Sequence, residues 1–297
     1  MLETAVRRLV NGYRLPGRDV VVELASRLLA RRQRLREGKV GAYRVHLDLG
    51  DTIQSQVYFG TYETENIALV KRILRPGDVF FDLGANIGHY SLVAAQVVGN
   101  SGEVHSFEPI PGNADILQRA IDENSIPNIV LNRAAVGARS GSLTLHIAAD
   151  DLGNSGWASQ VPSPRRPRQI NVKMLSLDDY MLAAHLSSFR LLKIDVEGAE
   201  PEAFAGAARL LAQPDAPDIL CEVNPFLLDR QGLDSRSMTA CLAGYGYLLG
   251  RVGGLTPEGL DPERKIVTGV DLYCTKDSAR LAELARRSRQ RSEQPGR

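Results

Sequence analysis

The run from Pro76 to Gly88, Pro-Gly-Asp-Val-Phe-Phe-Asp-Leu-Gly-Ala-Asn-Ile-Gly, constrains the fold of this chain more than any other feature. A Pro-Gly turn leads into a short apolar stretch, Asp82 closes it, and a loop with Gly84 and Gly88 opens an amphipathic segment. The pattern describes a buried strand that turns tightly into a helix, the opening unit of a parallel α/β sheet. Ligands of such sheets bind outside the carboxyl ends of the strands, where the strand order reverses.

The same alternation continues downstream and predicts βαβ units with a mainly parallel sheet. Strands are expected at Val79–Leu83, Glu103–Phe107, Ile129–Leu131, Leu191–Ile194, Ile219–Val223 and Leu272–Cys274. Helices are expected at Ile87–Val98, Asn113–Asn124, Pro201–Leu211 and Ser237–Gly244. Tyr43–Leu49 and Gln56–Phe59 read as an added β-hairpin region, and Leu143–Ile147 as an edge strand. Val161–Arg168 carries three prolines, which remove donors and fix φ, so it reads as a surface loop.

The net charge of +1 hides an uneven distribution. Residues 1–39 carry ten Lys and Arg against four acids, residues 277–297 carry six against three, and the stretch between is acidic in balance. A nucleic-acid groove needs positive charge around the site itself, so no nucleic-acid partner is expected. Arg18–Arg36 places Val21, Leu24, Leu28 and Leu35 at helical spacing among arginines. It reads as an amphipathic helix packed on the body, or as a contact for a membrane surface or protein partner. From Arg286 onward apolar residues are lacking, and a mobile tail is expected. No window approaches the roughly 18 apolar residues of a membrane span, and a cytoplasmic location follows as the expectation. Cys221, Cys241 and Cys274 form no close pair and read as small core residues rather than as a disulfide framework or zinc site. The organisation expected is a basic helical and β extension over residues 1–55, one domain over 56–276, and a basic tail over 277–297.

The loop chemistry bears on the ligand. A dinucleotide pyrophosphate needs G-x-G-x-x-G so that the backbone can approach it, and here Asn86 stands where the middle glycine would be. S-adenosylmethionine has no phosphate; its carboxylate suits helix N–H groups and its ammonium suits Asp82 or a nearby carbonyl. Gly84, Ala85, Asn86 and Gly88 are the expected loop contacts. Glu108, ending the strand Val104-His-Ser-Phe107, can accept both ribose hydroxyls. Ala134 and Ala135, after the third strand, either flank an adenine or are small residues of a tight turn.

A second signal is Lys193-Ile-Asp-Val-Glu-Gly-Ala-Glu200, four charged residues at the end of an apolar strand. Together with Asp82-Leu-Gly-Ala-Asn-Ile-Gly88, Phe107-Glu-Pro109, Ser176-Leu-Asp-Asp179 and the lead-in Phe59-Gly-Thr-Tyr-Glu-Thr-Glu65, it resembles the FkbM family of methyltransferases. The resemblance spans about residues 56–275. It implies a Rossmann-like class I methyltransferase fold, S-adenosylmethionine as cofactor, and a hydroxyl acceptor on a sugar, glycan, polyketide or related small molecule. His89 stands where many relatives carry an aromatic residue.

Methyl transfer to a hydroxyl needs a base for its proton, and Asp195 and Glu197 sit where that base is wanted. Glu222 and Asn224, ending the next strand, can join them. Clustered carboxylates raise one another's pKa, which suits a base at neutral pH. Lys193 can pair with these acids or orient substrate. The cluster could instead hold Mg²⁺, although no metal site is favoured. Glu200, in a first helical turn, reads as structural. His89 is either a base or an exposed helix-end residue, and Trp157, with Asn154 and Ser155, either lines an acceptor pocket or anchors its loop. Two other functions fit less well: an NAD-dependent oxidoreductase, and a non-catalytic binding protein that keeps the fold.

Overall fold

The computed structural model describes residues 2–12, 17–147, 158–159 and 167–292. In chain order its first elements are α1 (Leu2–Gly12), α2 (Arg18–Ala30), β1 (Leu35–Val40), β2 (Tyr43–Asp48), α3 (Thr52–Phe59), α4 (Thr64–Ile73), β3 (Val79–Leu83), α5 (His89–Val98), β4 (Glu103–Phe107), α6 (Pro111–Glu123) and β5 (Ile129–Asn132). There follow β6 (Ala134–Val136), β7 (Gly141–Ile147), β8 (Ala158–Ser159), β9 (Arg168–Leu175), α7 (Leu177–Ala183), β10 (Leu191–Ile194), α8 (Glu200–Ala205), α9 (Ala208–Leu211), β11 (Asp218–Val223), α10 (Pro225–Asp229), α11 (Ser235–Gly244), β12 (Leu248–Arg251), β13 (Val270–Thr275) and α12 (Ser278–Ser292). Two compact units are present: Met1–Gly77, Ala85–Arg133 and Leu143–Val172 form the first, and Asp78–Gly84, Ala134–Ser142 and Lys173–Arg297 the second.

The fold is α/β with a mostly parallel sheet. In the second unit β3, β10 and β11 run parallel, with Leu191 opposite Phe80 and Ile194 opposite Cys221. The hairpin of β12 and β13 completes this part antiparallel, with Glu222 opposite Asp271. In the first unit β4 and β5 are parallel, and β1 and β2 form an antiparallel hairpin. Parallel strands read as continuous apolar runs because both faces are covered, and Phe80, Phe81, Leu83, Leu191, Leu192 and Ile194 are all buried. Phe81 stacks on Phe189 with ring centroids 4.0 Å apart. At the other end of β11, the buried Asp218 accepts hydrogen bonds from Tyr273, Thr275 and Arg280, tying α12 to the sheet.

Several expectations need correction. Gln56–Phe59 is helical: the Asp51 side chain accepts from the Gln54 N–H at 2.9 Å and Gly60 ends α3 in the left-handed region at φ 74°, so caps outweigh the β-prone Val57-Tyr58-Phe59. The Arg18–Arg36 helix stops at Ala30, and Leu35 begins β1. Its buried face is Val22, Ala25, Ser26 and Leu29, while Leu24 and Leu28 are exposed. The expected Pro201–Leu211 helix is broken into α8 and α9 at Gly206 and Ala207, and a Cβ on Gly206 would lie 2.0 Å from the Gly137 carbonyl oxygen, so only glycine fits there. Cys221 and Cys274 are buried, but Cys241, on α11, is exposed. The expected tail is helical to Ser292, anchored by buried Leu281, Leu284 and Ala285. Arg168 belongs to β9; residues 161–166 of the expected loop, and Asn154, Ser155 and Trp157, lie outside the described residues. No helix among the described residues is long and apolar enough to cross a membrane.

Candidate active site

In the second unit the tips of β3 and β10 are locked together. Asp82 is fully buried, and Lys193, also buried, lies 3.4 Å from its carboxylate and 3.5 Å from that of Asp195. The Lys193 ammonium also donates to the Gly84 carbonyl at 3.0 Å. A buried ammonium is tolerable only with such partners, and here one cation serves two acids and a carbonyl. Gly84 has no alternative residue: its φ is 75°, and a Cβ would stand 1.9 Å from the Asp195 carbonyl oxygen. Sequence reasoning named these four residues; the structure brings them together at adjacent strand ends.

Beyond Asp195 the chain folds into a compact turn. Glu197 (φ 56°) and Gly198 (φ 96°) both adopt left-handed backbone, and the Glu200 carboxylate accepts from the Val196 and Gly198 N–H groups at 3.0 and 3.2 Å. Glu200 thus shapes the turn, as expected, and burial pushes its pKa up. Glu222, at the end of β11, has among the described residues a single hydrogen-bonding approach, from the Asn224 side-chain amide at 3.5 Å. Burial pushes its pKa up to about 8, and the negative charges of Asp195, Glu197, Glu200 and Asp271 add to that. Asp271 was not singled out from the sequence. Its signal was the register of the antiparallel β13, which sets it opposite Glu222.

In the first unit, the turn from Ala85 to Gly88 is built around Glu108. That carboxylate is buried, one oxygen accepting from the Asn86 N–H and the other from the Ile110 N–H, both at 2.8 Å. The Ala85 N–H donates to the Phe107 carbonyl at 2.9 Å. Asn86 is left-handed at φ 52°, a conformation asparagine tolerates well, and its side chain accepts from Ile87 at 2.8 Å. Gly88 is left-handed at φ 85°, and a Cβ on it would come 2.3 Å from Leu117. His89 is not the exposed residue expected; it is half-buried, edge-on to Tyr62 and Tyr90. Tyr90 in turn hydrogen-bonds Glu63 of the Phe59–Glu65 segment.

Ala134 and Ala135 form strand β6 rather than a turn, pairing with Lys173 and Met174 of β9. The Ser176-Leu-Asp-Asp179 motif serves the fold. Ser176 caps α7 by accepting from the Asp179 N–H at 3.2 Å, and Asp178 accepts from Arg209 and Leu210 N–H at 2.8 and 3.0 Å, capping α9. Among the described residues no three His, Cys, Asp or Glu side chains are grouped to hold a metal ion.

The domain family described as Methyltransferase FkbM domain matches residues 82–249, more than half of the chain. The 31-O-demethyl-FK506 methyltransferase FkbM of Streptomyces tacrolimicus is 28% identical over 196 residues, 56% of this chain and 72% of that protein. Methyltransferase 1 of Beauveria bassiana is 26% identical over 148 residues, 44% of this chain and 59% of that protein. The solved Methyltransferase FkbM from Methylobacillus flagellatus KT is 16% identical, covering 87% of this chain and 60% of its own, with a TM-score of 0.43. The chain therefore spans less than two thirds of the latter two.

Proposed function

This chain belongs to the FkbM methyltransferase domain family, a family of S-adenosylmethionine-dependent methyltransferases, and on that premise we propose that it methylates a hydroxyl oxygen of a small-molecule or glycan acceptor. What supports the reading is the place of Glu222 at the end of β11, opposite Asp271 and under the negative charges of Asp195 and Glu197. That setting raises the proton affinity of a carboxylate toward that of a base near neutral pH. The name of the Streptomyces relative, a 31-O-demethyl-FK506 methyltransferase, supports oxygen as the acceptor atom.

The residues fit the cofactor. Glu108 is held rigid by two main-chain N–H groups, one to each oxygen, and a carboxylate fixed in this way suits the hydroxyls of a ribose. Ala85, Asn86 and Gly88 follow Gly84 directly in the chain and supply the loop, while Asp82 suits the ammonium of the methionine moiety. Ala135 is assigned beside the adenine. When bound, S-adenosylmethionine supplies an electrophilic methyl group on a sulfonium. Glu222 takes the proton of the acceptor hydroxyl as the oxygen–carbon bond forms, and Asp195 and Glu197 keep that proton affinity high. Lys193 fixes Asp195 in place. A positioned base of this kind contributes about 10²-fold or more to the rate.

The test is to incubate the chain with methyl-labelled S-adenosylmethionine and a panel of hydroxyl, amine and carboxylate acceptors. Label in an alkali-stable methyl ether supports the reading, and label confined to methylamines or alkali-labile esters contradicts it.

A further inference from the structure

The connection between β12 and β13 encloses a cavity of about 370 Å³ in the second unit. That volume lies at the lower end of the range of small-molecule sites, room for a group the size of one sugar ring. Its wall carries Arg251, Arg264, Lys265 and Thr268, together with Thr256, whose hydroxyl donates to the Gly259 carbonyl at 3.2 Å, and an apolar side that includes Val267. The connection also contains the acids Glu258, Asp261 and Glu263, yet none of them is on the wall. Charge is therefore sorted: the loop is mixed, and the cavity is cationic.

The partners of these cations sharpen the point. Lys265 lies 3.6 Å from Asp234, which already binds Arg236 at 3.1 Å. Arg251 and Arg264 enter no ion pair recorded among the described residues, and both are exposed. Two guanidinium groups beside the Thr268 hydroxyl, with no acidic side chain on the wall, form a donor-rich surface suited to an oxyanion. The cavity also adjoins the chemistry. Val270, on its wall, pairs with Val223, next to Glu222, and a Cβ on Gly269 would lie 3.8 Å from the Glu222 carboxylate oxygen.

We propose that this cavity binds an oxyanion group, carboxylate or phosphate, carried by the methyl acceptor, and so presents a hydroxyl of an acidic acceptor to Glu222. The inference rests on the acceptor reading above and narrows it. An anion seated among Arg251, Arg264 and Thr268 fixes one end of the molecule, and the apolar wall near Val267 covers its uncharged face. Neutral acceptors of the same size gain no such anchor.

Calorimetric titration of the full chain with D-glucuronate, glucose 6-phosphate and glucose tests it. At least one acid should bind about tenfold more tightly than glucose, and Arg251→Gln with Arg264→Gln should weaken it by about tenfold while S-adenosylmethionine affinity holds. Should that variant fold poorly, the unaltered chain still discriminates: rising ionic strength must weaken acid binding and leave glucose unchanged. Stronger binding of the phosphate or of the carboxylate identifies the oxyanion. Acids that bind no better than glucose, or a folded double variant with undiminished affinity, would overturn the assignment. Titration of S-adenosylmethionine into the same preparation separates the two claims. A chain that binds the acid but no S-adenosylmethionine contradicts the methyl-transfer reading, and one that binds S-adenosylmethionine but neither acid contradicts the cavity assignment alone.

Discussion

Two acidic regions of this chain compensate their charge in opposite ways. Glu108, in the first unit, is buried and has both oxygens satisfied by main-chain N–H groups, so it is a fixed acceptor. Glu222, in the second unit, has the negative charges of Asp195, Glu197, Glu200 and Asp271 acting on it, and among the described residues no main-chain N–H donates to it. On the proposed reading, the same side chain is a binding group in one setting and a proton acceptor in the other. What decides is the supply of donors, since hydrogen bonds favour the charged form while burial and like charge disfavour it.

Between these extremes stand Asp82 and Asp195, compensated by one lysine, and removing it gives the largest expected effect. Lys193→Met leaves buried negative charge without its cation and should cost about 3–5 kcal/mol of stability, read from denaturant midpoints. A loss under about 1 kcal/mol would mean that the strand tips do not depend on that cation. Next, Glu222→Gln should slow methyl transfer about 10²-fold or more while S-adenosylmethionine affinity stays within about twofold. An equal fall in affinity would move Glu222 from chemistry to binding. Glu108→Ala is the mirror image: cofactor affinity should drop about tenfold or more, with turnover at saturation far less changed. A variant slow at saturating cofactor, with normal affinity, would erase the contrast.

A further effect is on stability against pH. The folded pKa of Glu222, about 8, lies above its ordinary 4.5, so the folded state binds the extra proton between those values. Its contribution is therefore fully present below about pH 4.5 and is lost as the pH rises through about 8, with a slope of at most about 1.4 kcal/mol per pH unit. Glu222→Gln should flatten that part of the profile and be at least as stable as the unaltered chain near pH 8. Parallel profiles in chemical denaturation would show that Glu222 is not the titrating group.

The sequence made β3, β4 and β10 legible to the residue, because short apolar runs bounded by turns and acids have few other uses. The Lys193–Glu200 cluster was visible for the same reason. Gln56–Phe59 was misread although Asp51 and Gly60, its caps, are adjacent in sequence; local capping outweighed β-propensity. The face of α2 was not readable, since the large Leu24 and Leu28 are exposed and small Ala25 and Ser26 are buried, a choice made by neighbouring helices. The Ser176–Asp179 motif drew attention as a family mark, and its role as two helix caps needed the positions of Arg209 and Leu210. The proton affinity of Glu222 was legible only in part. Asp195 and Glu197 are close in sequence order to the motif that flagged them, but Asp271 reaches Glu222 through strand register alone.

The most direct test is the titration of Glu222 itself, followed as the side-chain carboxyl ¹³C resonance of glutamate-labelled chain and assigned by its absence in Glu222→Gln. The account predicts a midpoint near 8. A midpoint near the ordinary 4.5 would contradict it, and with it the claim that this carboxylate accepts the proton.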